Sequence, residues 1–275
     1  MTLLAHISDL HVNGTPRATE RVKLAMDHLR ALATPPDALL VTGDIADHGD
    51  PAEYREVAAL LEVPFPVLTC PGNHDRRGAM RTALLGEPED DRPVNSAHRI
   101  GDLTILMCDS TIPGHDEGRL DEVTLGWLDD KLADPVHQGP ALLALHHPPV
   151  PVHHALLDSV PLTNPGDLAG LLTRHPRVIA VVAGHAHTAA ASGFATRPVL
   201  LAPAVTWTLV IPPQSRNIAD LDAPVGIALH AIEGSQITTH FRTIAAPVQL
   251  KVFPALIAMD HPHPAAIGQR PCKNH

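Results

Sequence analysis

The sequence predicts an α/β fold, and three observations lead to that prediction. Short apolar runs alternate with amphipathic segments through most of the chain. Those runs are apolar at consecutive positions, which is typical of strands covered on both faces. Beyond residue 187 no further helix is indicated, and strand-like segments follow one another. We therefore expect a mainly parallel or mixed central sheet, with a second and more antiparallel sheet packed on it.

The predicted strands fall into two groups. The first group consists of six apolar runs that end in polar residues, LLAHISD, ALLVTGD, FPVLTCPGN, LTILMCDS, ALLALHH and VIAVVAGH. The second group consists of segments joined by turns, over 192–202, 205–211, 225–232 and 236–243. The chain shows no internal repeat and no linker that would divide it.

Four helices are expected between the strands of the first group, over 17–33, 51–63, 120–133 and 165–174. In the first of them, Val22, Ala25 and Leu29 recur at the spacing of one helix face. The second follows Asp50, an N-cap residue, and has Pro51 at its first helical position.

The composition restricts the classes of function. The chain has 275 residues, of which 44% are apolar and 18% charged, as in an ordinary globular protein. Its formal net charge of −10 disfavours binding to nucleic acid, which needs a basic surface. Histidine is unusually frequent, with 20 residues. Because imidazole is the commonest metal ligand, some of these histidines indicate a metal site, and we interpret most of the others as surface residues.

Compartment and domain organisation follow from what the sequence lacks. No basic leader precedes the first strand, and no apolar run approaches the ~20 residues of a membrane helix. Cys70, Cys108 and Cys272 are widely spaced, so no disulfide framework is indicated. We expect a soluble, cytoplasmic protein without a membrane partner. Residues 1–244 are expected to form one domain, and 245–275 a loosely ordered Pro- and His-rich extension.

The candidate site residues lie at the ends of five of the six apolar runs. They are Asp9 and His11, then Asp44, then Asn73, His74 and Asp75, then His146, and finally His185 and His187. In an α/β sheet, ligands bind outside the carboxyl ends of the strands, so these side chains are expected to share one crevice. Burying so many carboxylates and imidazoles together would be costly, and a pair of cations would remove that cost.

The spacing within these motifs suits metal ligation. Asp9 and His11 are two positions apart, as are His185 and His187, which points both side chains of each pair to one side of an extended chain. Glycines stand before three of the polar groups and allow the backbone to approach closely. A single D-x-H or H-x-H motif carries little information, and the prediction rests on all five strand ends together.

The order D-x-H, G-D, G-N-H-D, H and G-H-x-H resembles the calcineurin-like metallophosphoesterases, from residue 3 to about residue 210. Within that superfamily, HISDLH, LLVTGDIADHGDPAEYRE, CPGNHD, CDSTIPGHDEGRL, LALHHPPVP and VAGHAH are similar to passages of class III cyclic nucleotide phosphodiesterases and of glycerophosphodiesterases. The resemblance implies a four-layer α/β/β/α sandwich of two mixed sheets flanked by helices. It also implies a dinuclear metal site at the carboxyl ends of the strands.

The resemblance further implies a set of seven ligands. Asp44 would bridge two metal ions, Asp9, His11 and His187 would complete the first site, and Asn73, His146 and His185 the second. Nitrogen and oxygen donors without thiolate favour Mn, Fe, Zn or Co over a soft metal, and affinity rules alone do not select one of them. We expect Mn or Fe, with Zn or Co as alternatives. A neutral asparagine leaves the centre positive enough to attract a phosphate anion.

Two-metal chemistry then suggests the reaction. A hydroxide bridging the ions would attack phosphorus while the ions hold the phosphate oxygens. His74 is expected to stabilise the transition state or protonate the leaving group, with Asp75 orienting it. The alternative role for Asp75 is to cap a turn. We interpret His147 as a packed residue beside the site and Asp47 as either a cap or a catalytic residue.

The predicted substrate is a small-molecule phosphodiester, specifically a 3′,5′-cyclic nucleotide such as cyclic AMP. A glycerophosphodiester or a phosphomonoester fits nearly as well, because the overhanging loop 148–167 contains no aromatic residue to stack on a purine. A non-catalytic interaction protein on the same fold is disfavoured because every ligand is present. A homodimer is a further expectation, with residues 207–211 as either its interface or core.

Overall fold

The fold is known from a computed structural model that describes residues 1–210 and 219–244. The predicted extension 245–275, with Cys272, and the end of the strand expected over 205–211 lie outside those residues. No helix in the part of the chain described is long and apolar enough to cross a membrane.

Helices separate most of the strands up to residue 183. The strands are β1 (Thr2–Ile7), β2 (Ala38–Thr42), β3 (Val67–Cys70), β4 (Ser96–Ile100), β5 (Leu103–Cys108), β6 (Ala141–Leu145), β7 (Val178–Ala183), β8 (Ala190–Phe194), β9 (Arg197–Leu201), β10 (Thr208–Leu209), β11 (Ala219–Asp220), β12 (Val225–Glu233) and β13 (Gln236–Ile244). The helices are α1 (Pro16–Arg30), α2 (Pro51–Leu60), α3 (Arg77–Met80), α4 (Glu122–Ala133) and α5 (Pro165–Arg174), with a π-helical turn at Arg81–Leu85 and a 3-10 turn at Leu157–Ser159.

The four predicted helices are present, and local sequence explains their limits. α2 begins after Asp50, whose carboxylate accepts a hydrogen bond from the Ala52 amide, and the Glu53 carboxylate accepts one from the Asp50 amide. This reciprocal arrangement satisfies amides that the first turn leaves free. The segment 77–85, which the apolar pattern did not single out, adds α3 and the π-helical turn.

Two mixed sheets make up the centre of the fold. One has the strand order β13-β12-β1-β2-β3, in which β1, β2 and β3 are parallel and β12 is antiparallel to both its neighbours. The other has the order β4-β5-β6-β7-β9-β8, parallel from β5 to β9 and antiparallel at both edges. β10 and β11 form a separate two-stranded ladder.

Three apolar clusters show that these elements form four layers. Residues of α1 and α2, such as Val22 and Val57, pack on one face of the first sheet. Residues of α4 and α5, such as Leu128 and Leu171, pack on the outer face of the second. A third cluster joins the facing sides of the sheets. The α/β/β/α sandwich is therefore confirmed.

The expectation of a separate sheet built from the later strands is wrong. β8 and β9 extend the second sheet, since β9 pairs in parallel with β7. β12 and β13 extend the first sheet, since β12 pairs with β1. The segment 192–202 is also not one strand, because Ala195 and Thr196 turn it back as a hairpin with positive φ angles of 45° and 65°. Nothing in those two residue types announces such a turn.

A buried pair of histidines lies between the sheets. His6 of β1 and His230 of β12 are both fully buried, with 3.1 Å between Nδ1 of His6 and Nε2 of His230. Their other ring nitrogens contact the hydroxyl groups of Thr42 and Thr239. Burial lowers the pKa of His230 to about 4. Burial, with a contribution from the charge of His230, holds the pKa of His6 well below its usual value.

Because both histidines are neutral when folded, acid is expected to destabilise the fold through them. The unfolded chain takes up these protons near pH 6.5, whereas folded His230 takes up its proton only near pH 4 and the pKa of folded His6 also lies well below the usual value. Stability is therefore complete above pH 6.5 and falls as the pH drops toward 4. The loss approaches about 1.4 kcal/mol per pH unit for each histidine. His230→Gln is expected to flatten the decline in melting temperature between pH 7.5 and pH 5. His240→Gln, which replaces an exposed histidine of β13, is the control, and equal slopes in the two variants would contradict the assignment.

Candidate metal centre

The seven predicted ligands meet at the carboxyl ends of five strands, where the two sheets come together. Asp9 and His11 follow β1, and Asp44 and Asn73 follow β2 and β3 of the same sheet. The three others come from the second sheet, His146 after β6 and His185 and His187 after β7. Packing of the two sheets face to face therefore builds one site from residues far apart in the chain.

Backbone conformation at these strand ends differs from the expectation. Five of the ligands have positive φ angles, which are Asp9 (55°), His11 (41°), Asp44 (49°), His185 (65°) and His187 (47°). The strands end before these residues, so the paired side chains converge through left-handed turns and not through alternation along an extended chain. Non-glycine residues with positive φ are strained and cluster at functional sites.

The close packing of the strand ends requires glycine at position 43. Gly43 has a φ of 87°, and a Cβ atom placed on it would lie 2.5 Å from Nδ1 of His146 and 2.7 Å from the backbone of Gly72. Any side chain at this position would push the strand ends apart. The close approach that the sequence predicted for these glycines is thus present.

The first cluster of ligand atoms is formed by Asp9, His11, Asp44 and His187. Nε2 of His11 lies 3.2 Å from Nε2 of His187 and 3.4 Å from Oδ2 of Asp44. Nε2 of His187 lies 3.4 Å from Oδ1 of Asp9. Four buried donors thus point at one small volume.

The second cluster shares Asp44 with the first. Nε2 of His146 lies 3.0 Å from Oδ1 of Asn73, 3.2 Å from Nδ1 of His185 and 3.5 Å from Oδ2 of Asp44. The same carboxylate oxygen therefore lies within 3.5 Å of an imidazole nitrogen of each cluster. This is the position that a bridging carboxylate needs.

The four ligand histidines are each fixed by the nitrogen that faces away from the clusters. Nδ1 of His11 lies 2.8 Å from Oδ1 of Asp47, and the other three contact backbone carbonyl oxygens. Those carbonyls belong to Thr42 for His146, Val160 for His185 and Trp207 for His187. Metal-binding histidines have this arrangement, since the anchored nitrogen fixes the ring and its tautomer.

His147 is excluded from the clusters by its own contacts. Its ring lies close to those of His146 and His185, with centroids 4.9 and 4.7 Å away. However, its Nδ1 lies 2.8 Å from the hydroxyl of Ser110 and its Nε2 lies 3.1 Å from the carbonyl oxygen of Asp116. Both nitrogens are occupied, so His147 packs beside the site, as interpreted from the sequence.

An unsatisfied carboxylate oxygen and the protonation states of the predicted ligands show that cations fit this site. Oδ2 of Asp9 is buried and has no hydrogen-bond partner, an expensive arrangement that a metal ion would satisfy. Burial lowers the pKa of His185 to about 4 and also lowers that of His187, so both rings are neutral, the form that binds metals. Burial opposes ionisation of Asp44, but His146 and His11 hold its pKa well below the usual value.

Asp47 is a residue for which the sequence left two roles open, and its contacts place it beside a predicted ligand. Its hydrogen bond with His11 lowers the pKa of Asp47 to about 2, so the carboxylate is ionised at every physiological pH. Its other oxygen accepts a hydrogen bond from the side-chain amide of Asn13 at 3.2 Å. Asp47 therefore orients the ring of His11, one of the predicted ligands.

Removing that contact is expected to weaken metal binding. Asp47→Ala should lower the affinity for one ion by about 10- to 100-fold, because His11 loses the partner that fixes its ring. Asp47→Asn, which keeps an acceptor oxygen, should lose less. Titration with Mn²⁺ against a competing chelator measures both variants. Wild-type affinity in Asp47→Ala would show that His11 does not depend on this contact.

His74 stands at the open side of the clusters. Its backbone amide donates to Oδ1 of Asp44 at 3.0 Å, which fixes its position beside the shared carboxylate. Its Nδ1 lies 2.8 Å from the carbonyl oxygen of Asp47, its ring packs edge-on against His11 at 4.6 Å, and its side chain is exposed. The imidazole is thus held near the centre and is open to a ligand.

Asp75 does not face His74. Its carboxylate accepts hydrogen bonds from the amides of Ile45, Ala46 and Gly72 and from the hydroxyl of Tyr54. Burial, followed by the charge of Asp44, raises its pKa to about 6. These contacts correspond to the turn-capping alternative, and Asp75 joins the two loops that carry Asp44 and Asn73.

The cleft over the clusters has a volume of about 360 Å³ and reveals residues that sequence reasoning did not place there. Trp207 lines it and stacks on the ring of His187, with centroids 3.7 Å apart. Leu209 also borders the cleft and is buried. The sequence indicates only that Trp207 and Leu209 belong to an interface or to the core. An apolar residue type does not distinguish the wall of a cleft from those two environments.

A family comparison identifies this arrangement. Residues 2–189 match the model of the calcineurin-like phosphoesterases, a span that includes all seven predicted ligands and His74. The chain belongs to the calcineurin-like phosphoesterase family. This calcineurin-like phosphoesterase is thus assigned to a class of phosphoric ester hydrolases by a match covering most of its length.

Individual relatives of this phosphoesterase are similar in sequence or in fold. A cAMP/cGMP dual specificity phosphodiesterase from Mycobacterium tuberculosis is 36% identical over 75% of this chain and 68% of its own length. A glycerophosphodiester phosphodiesterase from Enterobacter lignolyticus is 28% identical over 88% of this chain and 91% of its own. Among solved structures, a dimetal phosphatase from Danio rerio superposes with a TM-score of 0.64, at 14% identity over 89% of this chain and 99% of its own.

Proposed function

We propose that this phosphoesterase is a phosphodiesterase that uses two divalent ions and acts on a 3′,5′-cyclic nucleotide, with cyclic AMP as the first candidate. The observation that carries the proposal is Oδ2 of Asp44, which lies 3.4 Å from an imidazole nitrogen of one cluster and 3.5 Å from that of the other. A shared carboxylate between two sets of buried donors is the arrangement that a two-metal centre needs.

The residues fit divalent ions of intermediate hardness. Asp9, His11 and His187 would hold one ion, Asn73, His146 and His185 the other, and Asp44 both. This set of imidazole, carboxylate and amide donors favours Mn or Fe, with Zn or Co also suitable. When bound, the ions supply a nucleophile at neutral pH by lowering the pKa of water, and they neutralise charge on the phosphate oxygens.

The side chains around the clusters bind and orient the substrate. Asn73 contributes an oxygen without charge, so only two of the seven predicted ligands are carboxylates. Two carboxylates cannot neutralise two divalent ions, and the phosphate of the substrate would supply the remaining negative charge. His74 lines the cleft beside Asp44, to whose Oδ1 its backbone amide donates, and its imidazole is placed to donate a proton to the departing alkoxide. Its contact with the Asp47 carbonyl fixes the ring for that step.

Sequence similarity supports a cyclic nucleotide over a glycerophosphodiester. The relative named a cAMP/cGMP dual specificity phosphodiesterase is 36% identical to this chain, whereas the relative named a glycerophosphodiester phosphodiesterase is 28% identical. The apolar side of the cleft, formed in part by Trp207 and Leu209, also suits a nucleoside better than glycerol.

The test is to compare three phosphoesters with the Mn²⁺-loaded protein. We expect cyclic AMP and bis-p-nitrophenyl phosphate to be hydrolysed faster than p-nitrophenyl phosphate, and chelation to abolish all three activities. Monoester turnover far above both diesters would overturn the proposal in favour of a phosphomonoesterase. Fewer than one bound ion per chain after loading would favour a non-catalytic interaction protein on the same fold.

A further inference from the structure

We propose that Trp207 and the apolar residues beside it form the binding surface for the base of a nucleotide substrate. This inference rests on the proposed phosphodiesterase function. It assigns the part of the site that recognises the organic group esterified to the phosphate. The aromatic surface comes from outside the loop 148–167, in which the sequence offers no aromatic residue.

Trp207 is held against the metal centre by two contacts with one ligand. Its carbonyl oxygen lies 3.1 Å from Nδ1 of His187, and its ring stacks on that imidazole at 3.7 Å with an interplanar angle of 26°. Its centroid is also 6.2 Å from that of His11. The indole is only partly buried and lines the cleft, so part of its aromatic surface is open beside the ligands of one ion.

Four aliphatic residues extend this surface, and they come from two segments tied to the ligands of β7. Val160 contributes its carbonyl to His185, and the Leu209 amide donates to the carbonyl of His187. Leu156 and Leu157 lie on the same overhanging segment as Val160 and line the same cleft. Leu156 is 48% exposed and adds accessible apolar surface to the cleft beside Trp207.

The remaining residues around the cleft are polar or belong to the metal clusters. Asp47, Asn73, His74 and Asp116 supply the polar lining, and none of them offers a flat apolar surface. A diester of aliphatic alcohols would leave the indole of Trp207 and the four aliphatic side chains beside it uncovered. A purine or pyrimidine, with its π face, would stack on the indole and cover the leucines.

Substitution of Trp207 separates base binding from support of the ligand. Trp207→Ala removes the indole but keeps the backbone carbonyl that holds His187. We expect the KM for cyclic AMP to rise by about tenfold, within the range that stacking of a base on an aromatic ring provides. The KM for glycerophosphoethanolamine, a diester without an aromatic group, should change by less than about twofold, and Trp207→Phe should recover most of the affinity for cyclic AMP. Trp127→Phe, which alters the tryptophan of α4, is the control and should resemble wild type.

An equal rise in KM for both diesters, or a fall in kcat alone, would overturn the inference and leave Trp207 as a support for His187. Failure of the proposed function is a different result, namely that the wild-type loaded protein hydrolyses none of these diesters.

A binding measurement keeps the inference testable if Trp207→Ala does not fold. In Trp127→Phe, Trp207 is the only tryptophan and reports on the cleft by its fluorescence. Adenosine 5′-monophosphate added to the Mn²⁺-loaded variant should quench that fluorescence to saturation, whereas glycerol 3-phosphate should quench it little. Equal quenching by both would show that the phosphate alone is sensed, which would overturn the inference.

Discussion

Asp44→Ala is expected to remove both metal ions and to reduce hydrolysis of cyclic AMP by several orders of magnitude. The reason is that Oδ2 of Asp44 lies within 3.5 Å of His11 and of His146, so its loss damages both clusters at once. The substitution also removes a carboxylate from beside the buried imidazoles of His11 and His146 and frees the His74 amide, which donates to Oδ1. Metal content by mass spectrometry and the rate of turnover measure the two effects.

Two variants make this prediction specific. Asp44→Asn keeps the shape of the side chain and an oxygen for the His74 amide but loses the charge, so we expect metal loss without loss of the fold. Asp102→Ala is the control, because it removes an exposed carboxylate just before the amino end of β5, whereas the predicted ligands lie at the carboxyl ends of strands. This variant should keep the metal content and the rate of the wild type. Retention of two ions by Asp44→Ala would contradict the bridging role.

His74→Ala is expected to lower kcat for cyclic AMP by about 10²- to 10⁴-fold, the range that a general acid contributes. The imidazole lies beside Asp44 and faces the cleft, but the ring does not belong to the seven ligands. Metal content should therefore stay at two ions per chain, which distinguishes this variant from Asp44→Ala.

The leaving group provides the control for the role of His74. Bis-p-nitrophenyl phosphate releases p-nitrophenolate, which needs no proton to depart, whereas cyclic AMP releases a sugar alkoxide, which does. The activity of His74→Ala toward bis-p-nitrophenyl phosphate should fall much less than its activity toward cyclic AMP. Equal losses for both substrates would assign His74 to stabilising charge on the phosphate instead of donating the proton.

Local sequence signals predicted the helices well. The helix expected over 165–174 is observed as Pro165–Arg174, and the cap at Asp50 is observed together with its return bond from Glu53. Capping and helical periodicity depend on residues within a few positions of each other, so one segment contains the information.

Strand partners could not be predicted in the same way. β12 lies next to β1, although β1 ends at Ile7 and β12 begins only at Val225, near the other end of the described residues. β4 was missed because its residues alternate between half-buried and exposed positions and form no apolar run. Pairing depends on which edges remain open after the rest of the chain has packed, and apolar pattern does not encode that choice.

For the candidate site, residue types were predictable and conformations were not. The structure brings together the seven predicted ligands and His74 from the D-x-H, G-D, G-N-H-D, H and G-H-x-H motifs. The left-handed turns at Asp9 and His11 are invisible in residue type, since neither is glycine. Asp75 follows His74 in sequence, but its carboxylate faces away from the His74 ring. The His74 ring instead contacts the carbonyl oxygen of Asp47, which belongs to another loop. Contacts of this kind depend on how loops from different strands pack.

The most direct test of the two-metal account is a crystal structure of the Mn²⁺-loaded protein with anomalous data collected at the manganese edge. The account predicts two anomalous peaks per chain, one contacting Asp9, His11 and His187 and the other Asn73, His146 and His185, with Asp44 contacting both. A single peak, or two peaks of which one lies out of reach of Asp44, would contradict it.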